Sequence, residues 1–182
     1  MEEITRRAPI EENARCQPTV DSRVLRRSLG AFATGVCVVA ARASDGENLG
    51  VTVNSFCSVS LDPPLILVCI GRSLASHDKL LSCEGFSVSV LRNDQSALSA
   101  RFATRGIDKW EGASHRTGLA GGLIIEPHLA YFDCATHDRQ DAGDHTILLG
   151  RVLDFTSREG SPLLYFRGKY DTLGHCLPGL LP

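Results

Sequence analysis

The stretch Gly50–Pro64, GVTVNSFCSVSLDPP, decides how this chain is read. Val51 and Val53 alternate with Thr52 and Asn54, which sends successive side chains to opposite faces of an extended backbone. The segment then crowds Asn54, Ser55, Ser58 and Ser60 around Phe56 and closes on Asp62-Pro63-Pro64. Neither proline supplies a backbone N–H, so the pair predicts the end of the ladder. A strand end rich in short hydroxyl and amide groups suits a flat heteroaromatic ligand. Backbone amides and small side chains can approach its polar edge without crowding it.

Upstream, Asp21-Ser22 offers an N-cap to a helix over RVLRRSLGAF, with Val24, Leu25, Leu29 and Phe32 roughly on one face and Gly35 as its end. Val36 to Ala41 reads as a buried strand. Ser44-Asp45-Gly46 turns it into a second strand over about 49–55, a hairpin. Downstream, LILVCI is a short continuous apolar run that predicts a central strand. Residues 73–83 read as a short helix with Ser76 at its N-cap. Phe86 to Leu91 reads as a strand, and Asn93-Asp94 as the cap of a helix reaching about Phe102.

Residues 103–122 are Gly-rich and irregular, longer than most connections, and predict a functional lid or binding loop. Strands are expected over about 129–136, 146–155 and 163–166, with a polar, acidic turn, HDRQDAGDH, between the first two. Many strands and three short helices argue for a mainly β barrel or sandwich. No G-x-G-x-x-G occurs, so a Rossmann unit is not supported.

At 182 residues the chain is long enough for one domain with a real core. Its 19 basic and 21 acidic residues give a formal charge of −2, which predicts neither a nucleic-acid nor a membrane-surface partner. The polar, charged start lacks the apolar core of a signal peptide, and no run approaches the ~18 apolar residues of a membrane span. The expectation is a soluble, cytoplasmic protein with a flexible arm over 1–20, a domain over 21–175 and a tail over 176–182. Seven scattered cysteines form no C-x-x-C pair, which argues for free thiols rather than zinc or a redox dithiol. Cys37, Cys69 and Cys134 sit in apolar runs, as buried thiols do.

The order LRRSLGAFATGVCVVAA, GVTVNSFCSVSLDPPLILVCI, S-x-x-S, FSVSVL, FATRGIDKW, AYFDC and GDHTILLGRV resembles the short-chain flavin reductase family. These are the small reductase partners of two-component flavin-dependent monooxygenases. The resemblance runs collinearly over about 23–171. It implies a split β-barrel with Greek-key connections, a homodimer, FAD or FMN, and NADH as reductant, with NADPH the lesser choice because no basic cluster stands out for a 2′-phosphate.

By the same resemblance, Asn54, Ser55, Phe56, Cys57 and Ser58 match a segment lining the isoalloxazine and ribityl groups, and Ser60 and Leu61 continue along it. Ser76 matches a position that receives flavin phosphate, which also fits a serine at a helix start with free N–H groups. Lys79 stands one turn on and could add charge. Arg101 and Phe102 match a region near the cofactor, and Lys109-Trp110 falls where relatives carry Lys-Phe. His145 matches a histidine near the flavin and the incoming nicotinamide, and Tyr170 the tyrosine of a C-terminal R-G-x-Y that closes the pocket. Cys37, Cys57, Gly121-Gly122 and Pro127 depart from the pattern.

Each assignment has a structural alternative. Asn54 and Ser55 could tie off a strand end, Ser76 could be a plain N-cap, Arg101 a solvated helix-end cation and His145 a strand-edge histidine. Trp110 and the other aromatics could be core. His137, Asp138, Asp141, Asp144 and His145 hint at metal, but turns favour aspartate anyway and the histidine spacing is a poor ligand pattern, so no metal site is assigned.

The implied chemistry is hydride transfer from nicotinamide C4 to flavin N5, which belongs to the cofactors while the protein supplies stacking, orientation and electrostatics. Reduced flavin would then pass to a separate monooxygenase. A flavoprotein of the same barrel with retained flavin, a non-catalytic flavin-binding module, and a metal-dependent hydrolase are the competing readings.

Overall fold

The computed structural model describes residues 20–174. The expected arm, apart from Val20, and the tail lie outside the described residues. In chain order the elements are α1 (Ser22–Leu29), β1 (Thr34–Gly35), β2 (Cys37–Arg42), β3 (Asn48–Val53), β4 (Cys57–Leu61), β5 (Pro64–Gly71) and α2 (His77–Ser82). There follow β6 (Gly85–Val90), α3 (Ser96–Ala103), β7 (His115–Thr117), β8 (Leu123–Ile125), β9 (Ala130–Ala142), β10 (His145–Ser157), β11 (Leu164–Phe166) and β12 (Lys169–Asp171). The protein is mainly β, as its sequence predicts.

One antiparallel sheet of seven strands, in the order β3-β2-β6-β9-β10-β5-β4, carries the fold. Its two outer strands, β3 and β4, are joined by Asn54–Phe56 alone. Laid flat, six inter-strand steps would set them ~29 Å apart, whereas the four steps from Val53 to Cys57 span at most ~14 Å. The sheet must therefore curl until its edges approach each other. No β3–β4 ladder is formed among the described residues.

Curling gives the sheet an inside and an outside. Cys37, Val39, Leu49, Ile66, Val68, Ile70, Phe86, Val88 and Leu148 fill the inside. On the outside of β2, Val38 and Ala40 pack with Phe102 of α3, Leu123 and Ile125. Strand β2 is thus buried on both faces, which is why VCVVAA is continuously apolar. Strand β6 is covered likewise, and its outward serines find partners. Ser87 Oγ donates to the Leu123 carbonyl at 2.6 Å, and Ser89 Oγ accepts from the Ile125 N–H at 3.1 Å.

Several boundaries differ from the sequence reading. The Gly50–Pro64 stretch is two strands, and Pro64 opens β5 opposite Leu61 rather than ending a ladder. Asp21 caps α1 as expected, its carboxylate accepting from the Arg23 and Val24 N–H groups at 2.8 and 3.4 Å. The helix stops at Gly30, however, and Gly35 belongs to β1. Among the described residues nothing covers Val24, Leu25, Leu29 and Phe32, which all stay exposed, Phe32 to 78%.

Helix α3 begins after Gln95, not Asn93-Asp94, because the Gln95 side chain accepts from the Arg92 N–H and donates to the Pro127 carbonyl, pinning the turn. The irregular loop is partly ordered. Strands β7 and β8 form a hairpin whose Gly118–Gly122 turn closes over the buried Asp133 carboxylate, which accepts from the Ala120 N–H at 2.8 Å. The acidic turn is largely strand: β9 and β10 pair out to Ala142 and His145, leaving Gly143, at φ +64°, and Asp144 as the bend.

Candidate functional site

Strand β5 is the axis of the site. Its even positions, Ile66, Val68 and Ile70, face the core, while Cys69 and Gly71 face outward. Ser55, in the link between the sheet edges, closes on Cys69: its Oγ accepts from the Cys69 N–H at 2.9 Å and donates to the Cys69 carbonyl at 3.3 Å. Two residues along, Gly71 pairs with His145 of β10, and a Cβ built at Gly71 would lie 3.6 Å from His145 Nε2. Glycine here keeps the imidazole flank open. His145 Nδ1 bonds Asp144 Oδ1 at 2.7 Å, and this contact holds the Asp144 carboxyl below the usual carboxylate range.

The same end of β3 gathers further polar groups. Asn54 Nδ2 donates to Thr34 Oγ1 at 3.2 Å, and Thr52 Oγ1 donates to the Ser99 carbonyl at 2.7 Å. Ser99 Oγ and Tyr170 hydroxyl are 2.8 Å apart, and the Tyr165 ring meets Tyr170 edge-on at 5.8 Å. Ser55 and His145 thus lie along one stretch of β5, Cys69–Gly71, the seam, while Asn54 is tied to β1 through Thr34 and Tyr170 to α3 through Ser99. Cys57 and Ser58 lie exposed on the first residues of β4 beside the seam.

Not every expected residue joins them. Phe56 stacks on Phe132 at 5.2 Å and 24° and packs on the core, so it anchors the link. Ser60 and Leu61 run away from the seam, because β4 pairs antiparallel to β5 and sets Leu61 opposite Pro64. They end roughly 13–17 Å along the ladder from Cys69, with Leu61 95% exposed. Phe102 is fully buried, with its ring against Gly50 and edge-on to Trp110 at 5.0 Å. Its side chain cannot reach a ligand. Arg101 donates to the Glu111 carbonyl, a loop-tethering role.

The remaining expected residues line a second place, a cleft of about 620 Å³ beside the first half of β3. Ser76 lies on its wall and caps α2 without a side-chain bond. At six residues α2 is too short for its dipole to carry the site. Lys79 is held by Glu47 and then Asp45 of the β2–β3 turn, which push its ammonium up to about 12 and offset its charge. Lys109 Nζ donates to the carbonyls of Gly50 and Phe102 at 3.2 and 2.9 Å, and Trp110 Nε1 to that of Asn48 at 2.8 Å.

Two residues, one on the cleft lining and one beside His145, escaped the sequence reading. Arg105 donates to Ser73 Oγ at 3.1 Å on the cleft rim. In the sequence Arg105 is a lone cation after a helix, with nothing to separate it from a solvated one. His77, half of an Asp78 pair, reaches Thr146 Oγ1 at 3.1 Å and ties α2 to β10 beside His145.

Cys37 and Cys134 are buried, which raises both thiols to about 12; Cys83 is raised by the same cause. Cys57, by contrast, is exposed, and the five described cysteines are unpaired. No group of three or more metal-binding side chains occurs among the described residues, and no described helix is long and apolar enough to cross a membrane.

The chain matches the model of the flavin reductase like domain over residues 29–174. It is 42% identical over 152 residues to a "Probable flavin reductase" of Rhizobium meliloti (strain 1021), covering 84% of this chain but only 49% of that protein. It thus spans about half of that relative's length. It is 34% identical over 170 residues to the reductase component of a 4-nitrophenol 4-monooxygenase/4-nitrocatechol 2-monooxygenase of Rhodococcus opacus, covering 93% of this chain and 88% of that one. Among solved structures, the NADH:FAD oxidoreductase of Streptomyces globisporus in complex with NAD and FAD fragments is 37% identical, with a TM-score of 0.79 over 87% of this chain and 98% of that one. The chain belongs to the family of proteins with a flavin reductase like domain.

Proposed function

We propose that this protein is an NAD(P)H-dependent flavin reductase that takes hydride from NADH, delivers it to FAD or FMN, and passes reduced flavin to a separate monooxygenase. The observation that carries the reading is the seam itself. In a chain of this family, Ser55 bonds the backbone of Cys69 on β5 and His145 pairs with Gly71 two residues on. The groups around the seam fit a flavin: short polar side chains at one edge, a glycine floor, and uncompensated cations nearby for phosphate. FAD or FMN and NADH enter as substrates and supply the hydride chemistry, leaving oxidised nicotinamide and reduced flavin.

The chain's own residues bind and orient. Asn54, Ser55, Cys57 and Ser58 offer polar atoms to the ring edge, where donors stabilise charge that grows on reduction. His145, steadied by Asp144, positions nicotinamide over the Gly71 floor, and Tyr170 closes the pocket. Ser76 and Lys109 lie on the phosphate side. Hydride moves with both electrons, so no side chain has to act as acid or base. Handing reduced flavin on calls for micromolar rather than nanomolar affinity, about 8 against 12 kcal/mol.

The reading includes a homodimer, supported by the apolar face of α1 that the described residues leave uncovered. It includes a split β-barrel with Greek-key connections, supported by the curled sheet with unbonded edges. A cytoplasmic site of action is supported by the unpaired cysteines. The reductase domain is taken as 21–175, flanked by an arm and a tail. The test is a steady-state assay of NADH and NADPH oxidation with FAD and with FMN. The reading expects many turnovers with at least one flavin and a preference for NADH. No oxidation above background in all four combinations would refute it.

A further inference from the structure

Two histidines meet at the start of β10, one within the strand and one reaching it from α2. His145 opens β10 opposite Gly71. Thr146 follows opposite Ile70, and alternation turns its side chain to the inward face, where it is 3% exposed. His77, the first residue of α2, meets that hydroxyl: its Nε2 lies 3.1 Å from Thr146 Oγ1. Its Nδ1 lies 2.7 Å from Asp78 Oδ1. A carboxylate only accepts, so this contact assigns the proton of the neutral ring to Nδ1. The Nε2 lone pair is then left to accept from the Thr146 hydroxyl.

The surroundings make this contact a fixed one. Leu80 of α2 is buried, and Leu74 and Leu81 pack on the same core as Ile70 and Leu148. Helix α2 therefore sits against the inward side of the strands that carry the seam. Ser76, the residue before His77, lies on the cleft wall, so His77 joins that wall to the strand of His145. On the other side of His145, the Arg72 N–H donates to the Asp144 carbonyl at 2.9 Å, and the Arg72 side chain pairs with Asp141. That ion pair is exposed, and exposed pairs contribute little. The His77 side chain is only 12% exposed and its partner is buried, so water competes little for their bond. It is also the one hydrogen bond of the Thr146 hydroxyl among the described residues. Breaking it strands a buried polar group.

We propose that His77 is a positioning residue for hydride transfer. Through Thr146 it fixes the first residues of β10, and with them the imidazole of His145, without touching either substrate itself. Adjacent residues of a strand rise about 3.4 Å and share a rigid peptide unit, so a displaced Thr146 carries His145 with it. The proposal rests on the reductase reading for what His145 does, and not for the contact that places it.

His77→Ala removes the bond from one side, and Thr146→Val removes it from the other while keeping the branched shape of the side chain. Each should raise the Michaelis constant for NADH about threefold, as one neutral hydrogen bond can transmit. His77→Gln, whose amide oxygen can accept from the same hydroxyl, should restore most of it. Adding His77→Ala or Thr146→Val to His145→Ala should raise the constant no further, because no ring is left to place. A merely structural contact would add its effect there in full.

The ring-proton magnetic resonances of His145, assigned by their loss in His145→Ala, read its placement without turnover. They should move in His77→Ala and return in His77→Gln. They should move in Thr146→Val too, which keeps the His77 ring in place. Signals that stay put in both single variants would overturn the proposal. So would a rise in the NADH constant as large without the His145 ring as with it. Signals that move in a protein with no NADH oxidation on either flavin support the placement of His145 by His77 and instead remove the reductase reading.

Discussion

Ser55 grips Cys69 from both sides, accepting its N–H at 2.9 Å and donating to its carbonyl at 3.3 Å. This one hydroxyl ties the link between β3 and β4 to β5, the strand next to the β4 edge. Ser55→Ala leaves a half-buried N–H without its partner, which costs about 1–3 kcal/mol. Thermal unfolding should fall by roughly 2–4 °C per kcal/mol for a chain of this size. The Michaelis constant for flavin should rise more than turnover drops, because the residue shapes the seam without touching hydride. An unchanged melting point together with an unchanged flavin constant would contradict this role.

Lys109 and Lys79 separate by their partners. The charge of Lys79 is already offset by Glu47 and Asp45, so Lys79→Met should change the flavin constant less than about twofold. Lys109 sits below the ordinary lysine value of 10.5, because burial and then Arg105 disfavour its charge. Between the lowered value and 10.5 the unfolded chain holds more protons, so this lysine makes stability rise with pH across that window. Anion binding needs the charge and runs the other way, weakening as pH climbs through the lowered value. Lys109→Arg, charged at every working pH, should keep flavin affinity level where the parent declines. Equal alkaline decline in both proteins would count against it.

Gly122 lies where backbone, carboxylate and turn meet. A Cβ there would stand 2.4 Å from the Ser87 nitrogen and 2.7 Å from Asp133 Oδ1. Neither can retreat, so Gly122→Ala should destabilise by about 1–3 kcal/mol or more. Gly46, with nothing within 4 Å of its Cβ but a φ of +88°, is the contrast: its alanine variant is strained locally without disturbing the core. Chemical denaturation of the two variants compares them directly, and a Gly122→Ala protein as stable as the parent would refute the close packing.

Phe32, just past α1, and Leu29, its last residue, have 78% and 65% of their surface open. If a second copy covers them, the parent sediments at twice the chain mass of 19.7 kDa. Phe32→Glu with Leu29→Glu then shifts it to the monomer, because a carboxylate is costly to bury. A parent that sediments as a monomer at high concentration would remove the homodimer from the account.

His145 positions rather than transfers. His145→Ala should raise the Michaelis constant for NADH by about fivefold or more, with a smaller loss in turnover, as expected when ground-state binding is removed. A collapse of turnover at constant Michaelis constant would make it a participant in the chemical step.

Strand periodicity and turn chemistry made most of the fold readable. VCVVAA, LILVCI and FSVSVL became β2, β5 and β6. The apolar run VCVVAA also anticipated the burial of β2, whereas the serines of FSVSVL gave no sign that β6 is covered on both faces. What local pattern could not reveal was curvature. Nothing in Asn54–Phe56 says that it joins opposite edges of a sheet, so Ser60 and Leu61 were read as continuing a site they turn away from. Partnership was equally hidden. Lys79 and Arg105 look alike in sequence, and only the β2–β3 turn, 32 and 34 residues upstream of Lys79, decides which charge is free. Phe102 was legible as aromatic but not as core, since its burial depends on Gly50 in another element.

Mixing the protein with FAD and NADH without oxygen tests the central claim most directly. The account predicts that catalytic amounts of protein bleach the visible absorbance of a large excess of flavin as NADH is consumed one for one. The Gly71→Val variant, which fills the floor beside His145, should slow that bleaching. Flavin that stays yellow, or bleaches only in proportion to the protein added, would contradict it.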